Sequence, residues 1–298
     1  MTLAPIRYVD PVFRPPSEAE SLILPLTDGC SWNRCTFCEM YTAPQKRFRP
    51  RDEAEVLASI RACREKYGDG VKRVFLADGD AMTLSVRRLA AVLEAIRRDL
   101  PSVRRISSYC LPRNVAKKSV EELRELAALG LSLVYVGAES GDDEVLARVN
   151  KGETHQSSRA ALDKLGEAGI KRSVMILNGL GGKALSRQHA QNSAALMNAA
   201  QPEFLATLVV SFPMGEARFR ENFPEWAPLD VVGLMQEMET FLSALELKRT
   251  VFRSDHASNW LILKGTLGAD KARVLEELRA AIAAPEAAPL RPAWARGL

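Results

Sequence analysis

Six short apolar runs punctuate the first 215 residues, and each is followed by a stretch whose apolar positions recur at helical spacing. The runs are SLILPL (Ser21–Leu26), VKRVFLA (Val71–Ala77), VRRISSYC (Val103–Cys110), LSLVYVGAES (Leu131–Ser140), IKRSVMILNGLGG (Ile170–Gly182) and FLATLVVSF (Phe204–Phe212). The intervening stretch Arg51–Gly68 sets Val56, Leu57, Ile60 and Cys63 on one face, with acids in its first turn. Leu84–Leu100, Val120–Gly130, Asp142–Asn150, Ser157–Gly169 and Arg187–Ala200 also read as helices. Runs that are apolar nearly throughout suit strands covered on both faces, hence a parallel sheet wrapped by helices. The expected fold is α/β, a partial (β/α)6 TIM-like barrel with a C-terminal helical and irregular extension. An open doubly wound sheet is the other architecture of this pattern. In either, ligands sit at the C-terminal ends of the strands.

The expected organisation has an extended lead-in over 1–20, with four prolines, and the (β/α)6 core over 21–215. An extension over 216–284 closes the barrel, and 285–298 forms a flexible tail. In the extension, Pro228–Leu247 and Asp270–Ala284 read as helices and Lys248–Leu267 as irregular. Of the 298 residues 47% are apolar and 26% charged, which is ordinary for a soluble globular chain. No stretch has the length of a membrane span or the apolar core of a signal peptide. A cytoplasmic setting is therefore expected, where clustered cysteines indicate metal binding or catalysis rather than disulfides. The net charge of +4 is spread among both signs, so a nucleic-acid partner is not implied.

The segment GCSWNRCTFCEMY (Gly29–Tyr41) holds three of the five cysteines, Cys30, Cys35 and Cys38. A structural zinc site needs a fourth ligand, and the remaining candidates are Cys63, Cys110 and three distant histidines. Three thiolates on an iron–sulfur cluster with one iron left open fit best; zinc and metal-free thiols are the other readings. Following the first strand of a six-unit β/α chain, this loop resembles that of the radical S-adenosylmethionine (radical SAM) superfamily. The aromatic Phe37 before the last cysteine is typical, whereas the first gap of four residues is one longer than in most members. FCEMYTAPQKRFRPR, GAESGDDEVLARVNKGET and VFRSDHASNWLILKG are similar to the group containing anaerobic coproporphyrinogen oxidase, methylthiotransferase and elongator-type proteins.

The resemblance implies that Cys30, Cys35 and Cys38 bind a [4Fe–4S] cluster whose open iron chelates S-adenosylmethionine (SAM). It places Asp78, Gly79 and Asp80 where the family has a Gly-Gly-Glu-like turn, Glu139 among polar contacts to SAM, and Asn178 and Gly179 by the adenine. Phe37, Ser107, Ser108 and Lys151 complete the expected cofactor contacts, and Cys110 and His256 are the candidate catalytic groups. Each has a plainer reading. Asp78 and Asp80 could cap the next helix, and Glu139 could sit in a structural salt bridge. Only one of Ser107 and Ser108 should face inward, Lys151 could be solvated, Cys110 could be core, and His256 could lie on an exposed loop. GLGGKA fails the P-loop spacing at Leu177 and Ala184.

The reaction expected is radical chemistry on a small or medium organic substrate, with an electron donor such as flavodoxin or ferredoxin. RNA modification is the nearest alternative; a non-catalytic iron–sulfur carrier or a zinc-stabilised binding module would be a different class. Without a second cysteine trio, an auxiliary cluster is not expected, nor is a cobalamin-binding domain.

Overall fold

The computed structural model describes residues 5–296. The first four residues of the expected lead-in and the last two of the expected tail lie outside the described residues. The chain divides into two compact units. The first comprises the described residues up to Asn33, Cys38–Val136 and Asp163–Arg172; the second comprises Arg34–Phe37, Gly137–Leu162 and the described residues from Ser173 onward.

In the first unit, β1 (Leu22–Pro25) is followed by β2 (Thr27–Asp28) and β3 (Arg49–Pro50), a two-residue antiparallel pair on either side of the cysteine segment. Then come α1 (Glu53–Tyr67), β4 (Arg73–Ala77), α2 (Val86–Asp99), β5 (Arg105–Cys110), α3 (Pro112–Ala116), α4 (Val120–Ala128) and β6 (Leu131–Glu139). β1, β4, β5 and β6 pair in parallel, with Leu24 opposite Leu76 and Phe75 opposite Ser107. The helices start where a polar side chain accepts an otherwise orphaned backbone N–H. Asp52 accepts from Glu55 N at 3.0 Å, and Ser119 and Glu122 form a reciprocal capping box at 3.1 and 2.7 Å. α2 turns Leu89, Val92, Leu93 and Ile96 inward, as its sequence spacing predicts.

The described lead-in carries a buried acid. A single 3-10 turn at Pro16–Glu18 directs the Glu18 carboxylate to Tyr135 Oη (2.6 Å), Arg105 Nη2 (2.9 Å) and Ser21 Oγ. Three donors on one carboxylate tie the lead-in to β5 and β6.

The second unit holds α5 (Asp143–Arg148), the start of α6 (His155–Glu167) and most of β7 (Lys171–Asn178), then α7 (Gly182–Ala200), β8 (Phe204–Val209), α8 (Ala217–Asn222) and α9 (Val231–Ala244). β9 (Thr250–Arg253), β10 (Lys264–Leu267) and α10 (Lys271–Ala283) follow. β7 and β8 are parallel, as are β8 and β9, while β10 returns antiparallel along β9. The stretch read as irregular thus contains two strands. Its apolar runs are too short to show a period, and the turn between them is stabilised by tertiary hydrogen bonds. Ser254 Oγ accepts from Leu263 N at 2.8 Å, and Ser258 Oγ accepts from Val209 N at 3.0 Å. Arg291 donates to the carbonyls of His256 (2.6 Å) and Asn259 (3.2 Å), and Arg296 donates to that of Ser258. These bonds place the described part of the expected tail against this turn. The fold is α/β with a mostly parallel eight-stranded sheet, of the partial TIM-like barrel class.

Phe219 on α8 lies within 4.7 to 5.9 Å (centroid to centroid) of the rings of Phe212, Trp226 and Phe223. It is fully buried and belongs to the cluster that also receives Phe37. Phe219→Ala is expected to destabilise the chain by about 3–5 kcal/mol, read as a lowered denaturant midpoint; a loss below about 1 kcal/mol would show that α8 is not part of the cooperative core.

Candidate functional site

The chain entering the cysteine segment at Gly29 and leaving it at Tyr41 is held within the first unit before any cofactor is considered. Gly29 has φ +71°, and a Cβ there would collide with the carbonyl oxygen of Lys46. At Gly79, a Cβ would lie 2.7 Å from the Tyr41 ring and 2.8 Å from the Gly29 carbonyl oxygen. The turn after β4 therefore touches the backbone just before Cys30, and only glycine allows both approaches.

The two acids flanking Gly79 are in different situations. Asp78 forms a buried ion pair with Lys46 Nζ, both side chains being almost fully enclosed. Tyr41 Oη donates to the other Asp78 oxygen at 3.4 Å. Burial pushes the Asp78 carboxyl up, and Lys46 opposes that shift. Asp80 is also fully buried, and its Oδ2 accepts from Ser31 Oγ and from Ser31 N (3.3 Å). Its Oδ1 has no hydrogen-bond partner. Burial raises the Asp80 carboxyl too, with Ser31, then the Asn114 side chain and the charge of Lys118 opposing.

The long first cysteine gap has a local explanation. Ser31 is held by Asp80, and the Trp32 ring stacks under the Arg113 guanidinium at 3.8 Å. Asn33 takes a left-handed conformation (φ +42°) and donates from Nδ2 to the Tyr41 carbonyl at 2.8 Å. Burial first, and then the charges of Asp78 and of nearby Cys38 and Cys30, push the Tyr41 phenol well up. Tyr109 is raised likewise, with Asp78 and Cys38 among its causes. Both therefore stand as neutral phenols beside the thiols.

On β5, Ser108 Oγ donates to the Leu76 carbonyl at 3.0 Å, whereas Ser107 Oγ is buried without a partner. Cys110 is buried at the strand end, its Sγ 3.4 Å from the Leu111 carbonyl oxygen. Cys63 is a core thiol of α1, which burial pushes up to about 11. Among the described residues no cysteine forms a disulfide.

The second unit carries the other expected residues. Thr36 N donates to the Val149 carbonyl at 3.0 Å, which holds the backbone between Cys35 and Cys38. Phe37 packs on the Phe219 cluster, with Lys151 Nζ 5.9 Å from its ring centroid. Lys151 also pairs with Glu139 at 3.1 Å. Glu139 itself is left-handed (φ +65°), a conformation uncommon outside glycine. Asn178 Nδ2 donates to the Leu234 carbonyl (3.0 Å), and Gly179 N donates to Glu237 Oε1 (2.6 Å). His256 is half-buried and faces Ser258 Oγ at 2.9 Å.

The first unit thus brings together Cys30, Cys38, Asp78, Gly79 and Asp80. The second brings together Phe37, Glu139 and Lys151, while Asn178 and Gly179, at the end of β7, are hydrogen-bonded to Leu234 and Glu237 of α9. Sequence reasoning passed over Lys46, Tyr41, Tyr109 and Glu237. Of these only Glu237 had a signal, as an acid within the apolar stripe Leu234, Met235, Met238, Phe241.

Replacing Lys46 by Met strands a buried carboxylate and is expected to cost about 3–5 kcal/mol. The double variant Lys46→Met/Asp78→Leu should recover much of that loss in urea unfolding; strictly additive losses would mean the pair is not coupled. His256 is held below its ordinary value of 6.5, by burial first and then by Arg291. As pH falls through 6.5 the unfolded chain takes up the proton first, so stability should fall there and level off below the folded value. His256→Asn should flatten that segment of a stability–pH profile; an unchanged slope would assign it to other groups.

Comparison with known proteins places the chain in a family. The radical SAM superfamily model matches residues 24–194, more than half of the chain. The heme chaperone HemW of Bacillus subtilis is 23% identical over 131 residues, covering 43% of this chain and 35% of HemW. The chain therefore spans about a third of that relative's length. Among solved structures, coproporphyrinogen III oxidase (HemN) from Escherichia coli, described as a radical SAM enzyme, aligns with TM-score 0.59 at 18% identity, over 75% of this chain and 52% of its own. The radical SAM methyltransferase TsrM from Kitasatospora setae, solved with cobalamin and a [4Fe–4S] cluster, gives 0.51 at 21% identity over 63% and 36%. These likenesses agree in fold with the family match. The chain belongs to the radical SAM superfamily, and is an enzyme of that class whose cofactors are SAM and a [4Fe–4S] cluster.

Proposed function

We propose that Cys30, Cys35 and Cys38 hold the cluster and that Asp80, with Ser107, receives the polar methionine end of SAM, the reaction being radical chemistry on a small or medium organic substrate. The observation that carries this reading is the state of Asp80. A fully buried carboxylate oxygen without a donor, on a turn pressed against the residue before Cys30, is costly unless a ligand completes it. An ammonium group supplies both the missing hydrogen bond and the countercharge. Ser107 Oγ offers a second unclaimed group on the neighbouring strand. Asp78 has a different role, since its carboxylate is committed to Lys46 and positions the loop.

Held there, a reduced cluster and SAM would supply one-electron reduction of the sulfonium and, from it, a carbon radical able to take hydrogen from the substrate. The chain's own contribution is to hold and to exclude. Tyr41 and Tyr109 stay protonated beside Cys38, and the edge-to-face rings of Phe75, Tyr109 and Tyr135 line the strands with apolar surface. Such a wall keeps water from the reacting centre. We place the protein in the reducing cytoplasm, which keeps the thiols available, with a flavodoxin- or ferredoxin-like donor and no nucleic-acid partner. Among the described residues no helix is long and apolar enough to cross a membrane.

Anaerobic reconstitution with iron and sulfide tests the reading. The expected result is a brown protein that, once reduced, converts SAM to 5′-deoxyadenosine and methionine. Cys30→Ala, Cys35→Ala and Cys38→Ala should each abolish the colour. Asp80→Asn should keep the cluster but weaken SAM binding about 10- to 100-fold, the worth of a charge-assisted hydrogen bond. A colourless zinc protein overturns the assignment of the cysteines, and unaltered SAM affinity overturns that of Asp80.

A further inference from the structure

A small cavity is formed within the second unit. It is lined by Ile176 and Asn178 of β7, His189 and Ala190 of α7, Thr207 of β8, and Glu237, Met238 and Phe241 of α9. Most of its polar groups are already used. His189 Nε2 donates to the Leu177 carbonyl at 3.0 Å, and His189 Nδ1 accepts from Ser140 Oγ at 2.8 Å. Glu237 Oε1 accepts from Gly179 N, and Asn178 Nδ2 donates to the Leu234 carbonyl.

Two atoms are left over. Thr207 Oγ1 and Glu237 Oε2 are buried without any hydrogen-bond partner, on residues only 2% and 3% exposed. The space open to the centre of a water molecule is about 10 Å³, close to the one-sphere volume, about 10–15 Å³, that a single water needs.

We infer that this cavity is a binding site for one structural water molecule, which accepts from Thr207 Oγ1–H and donates to Glu237 Oε2. Two partners meet the minimum that buried waters show, and each leftover atom otherwise carries the full cost of burial without a bond. The water joins β8 to α9. Because the other Glu237 oxygen holds Gly179 N, it also fixes the carboxylate that shapes the turn after β7. The inference does not depend on the cluster or on SAM, so it stands or falls separately from the proposed chemistry.

A high-resolution crystal structure of the full chain is the direct test. The expected result is one density peak within hydrogen-bonding distance of both Thr207 Oγ1 and Glu237 Oε2. An empty cavity, a direct Thr207–Glu237 hydrogen bond, or a peak at the shorter distances of a bound cation overturns it. In solution, water ¹⁷O relaxation dispersion counts long-lived internal waters. Thr207→Val should remove one of them while circular dichroism shows an unchanged fold, and an unchanged count in that folded variant contradicts the assignment.

Discussion

A lysine and an aspartate taken out of water together set the terms for this site. Desolvating Lys46 and Asp78 costs several kcal/mol per ion, about what their mutual attraction returns, and only when the geometry is held. Here the backbone holds it. Gly29 meets the Lys46 carbonyl, Gly79 meets the Gly29 carbonyl, and the Tyr41 ring fills the remaining space. The path from Gly29 to Cys30, and the chain's return through Tyr41 and Lys46, are thereby fixed without a metal. Ser31, Trp32 and Asn33 then find partners in Asp80, Arg113 and the Tyr41 carbonyl. The extra residue of the first cysteine gap is absorbed in a turn that the first unit itself supports.

That arrangement gives the two acids of one short turn separate roles. Asp78 has a cation of its own, so its charge is neutralised inside the protein. Asp80 has Ser31 on one oxygen, with the Asn114 side chain and the Lys118 charge nearby, and its Oδ1 makes no hydrogen bond of normal geometry. Burial raises both carboxyls, but only Asp80 has an oxygen left over for a ligand donor to satisfy. A carboxylate in that condition favours a positively charged ligand group over a neutral one.

The strands of the core were legible because they are covered on both faces, which leaves continuous apolar runs such as Val74–Ala77 and Val134–Val136. Helix starts were legible at Asp52 and Ser119, whose caps are local. β9 and β10 were not, because their stability comes from pairing and from the buried hydroxyls of Ser254 and Ser258. The cysteine motif announced itself, yet the difference between Asp78 and Asp80 could not be read. It depends on Lys46, which lies 32 residues before Asp78 in a basic stretch that looks solvated. Likewise Ser107 and Ser108 alternate along one strand, and only the structure says which hydroxyl is already bonded.

Unsatisfied buried atoms occur in both units, and their surroundings give them different meanings. Asp80 Oδ1 lies on the turn after β4 and Ser107 Oγ within the neighbouring β5, and Asp80 holds the serine that follows the first cysteine. Thr207 and Glu237 line one small cavity with room for one water, together with Ile176, Met238 and Phe241. A void of that size cannot admit an organic ligand, and its apolar walls would make an uncompensated second charge expensive. The same rule, that buried polar groups find partners, underlies both the proposed contact to SAM in one place and the proposed water in the other.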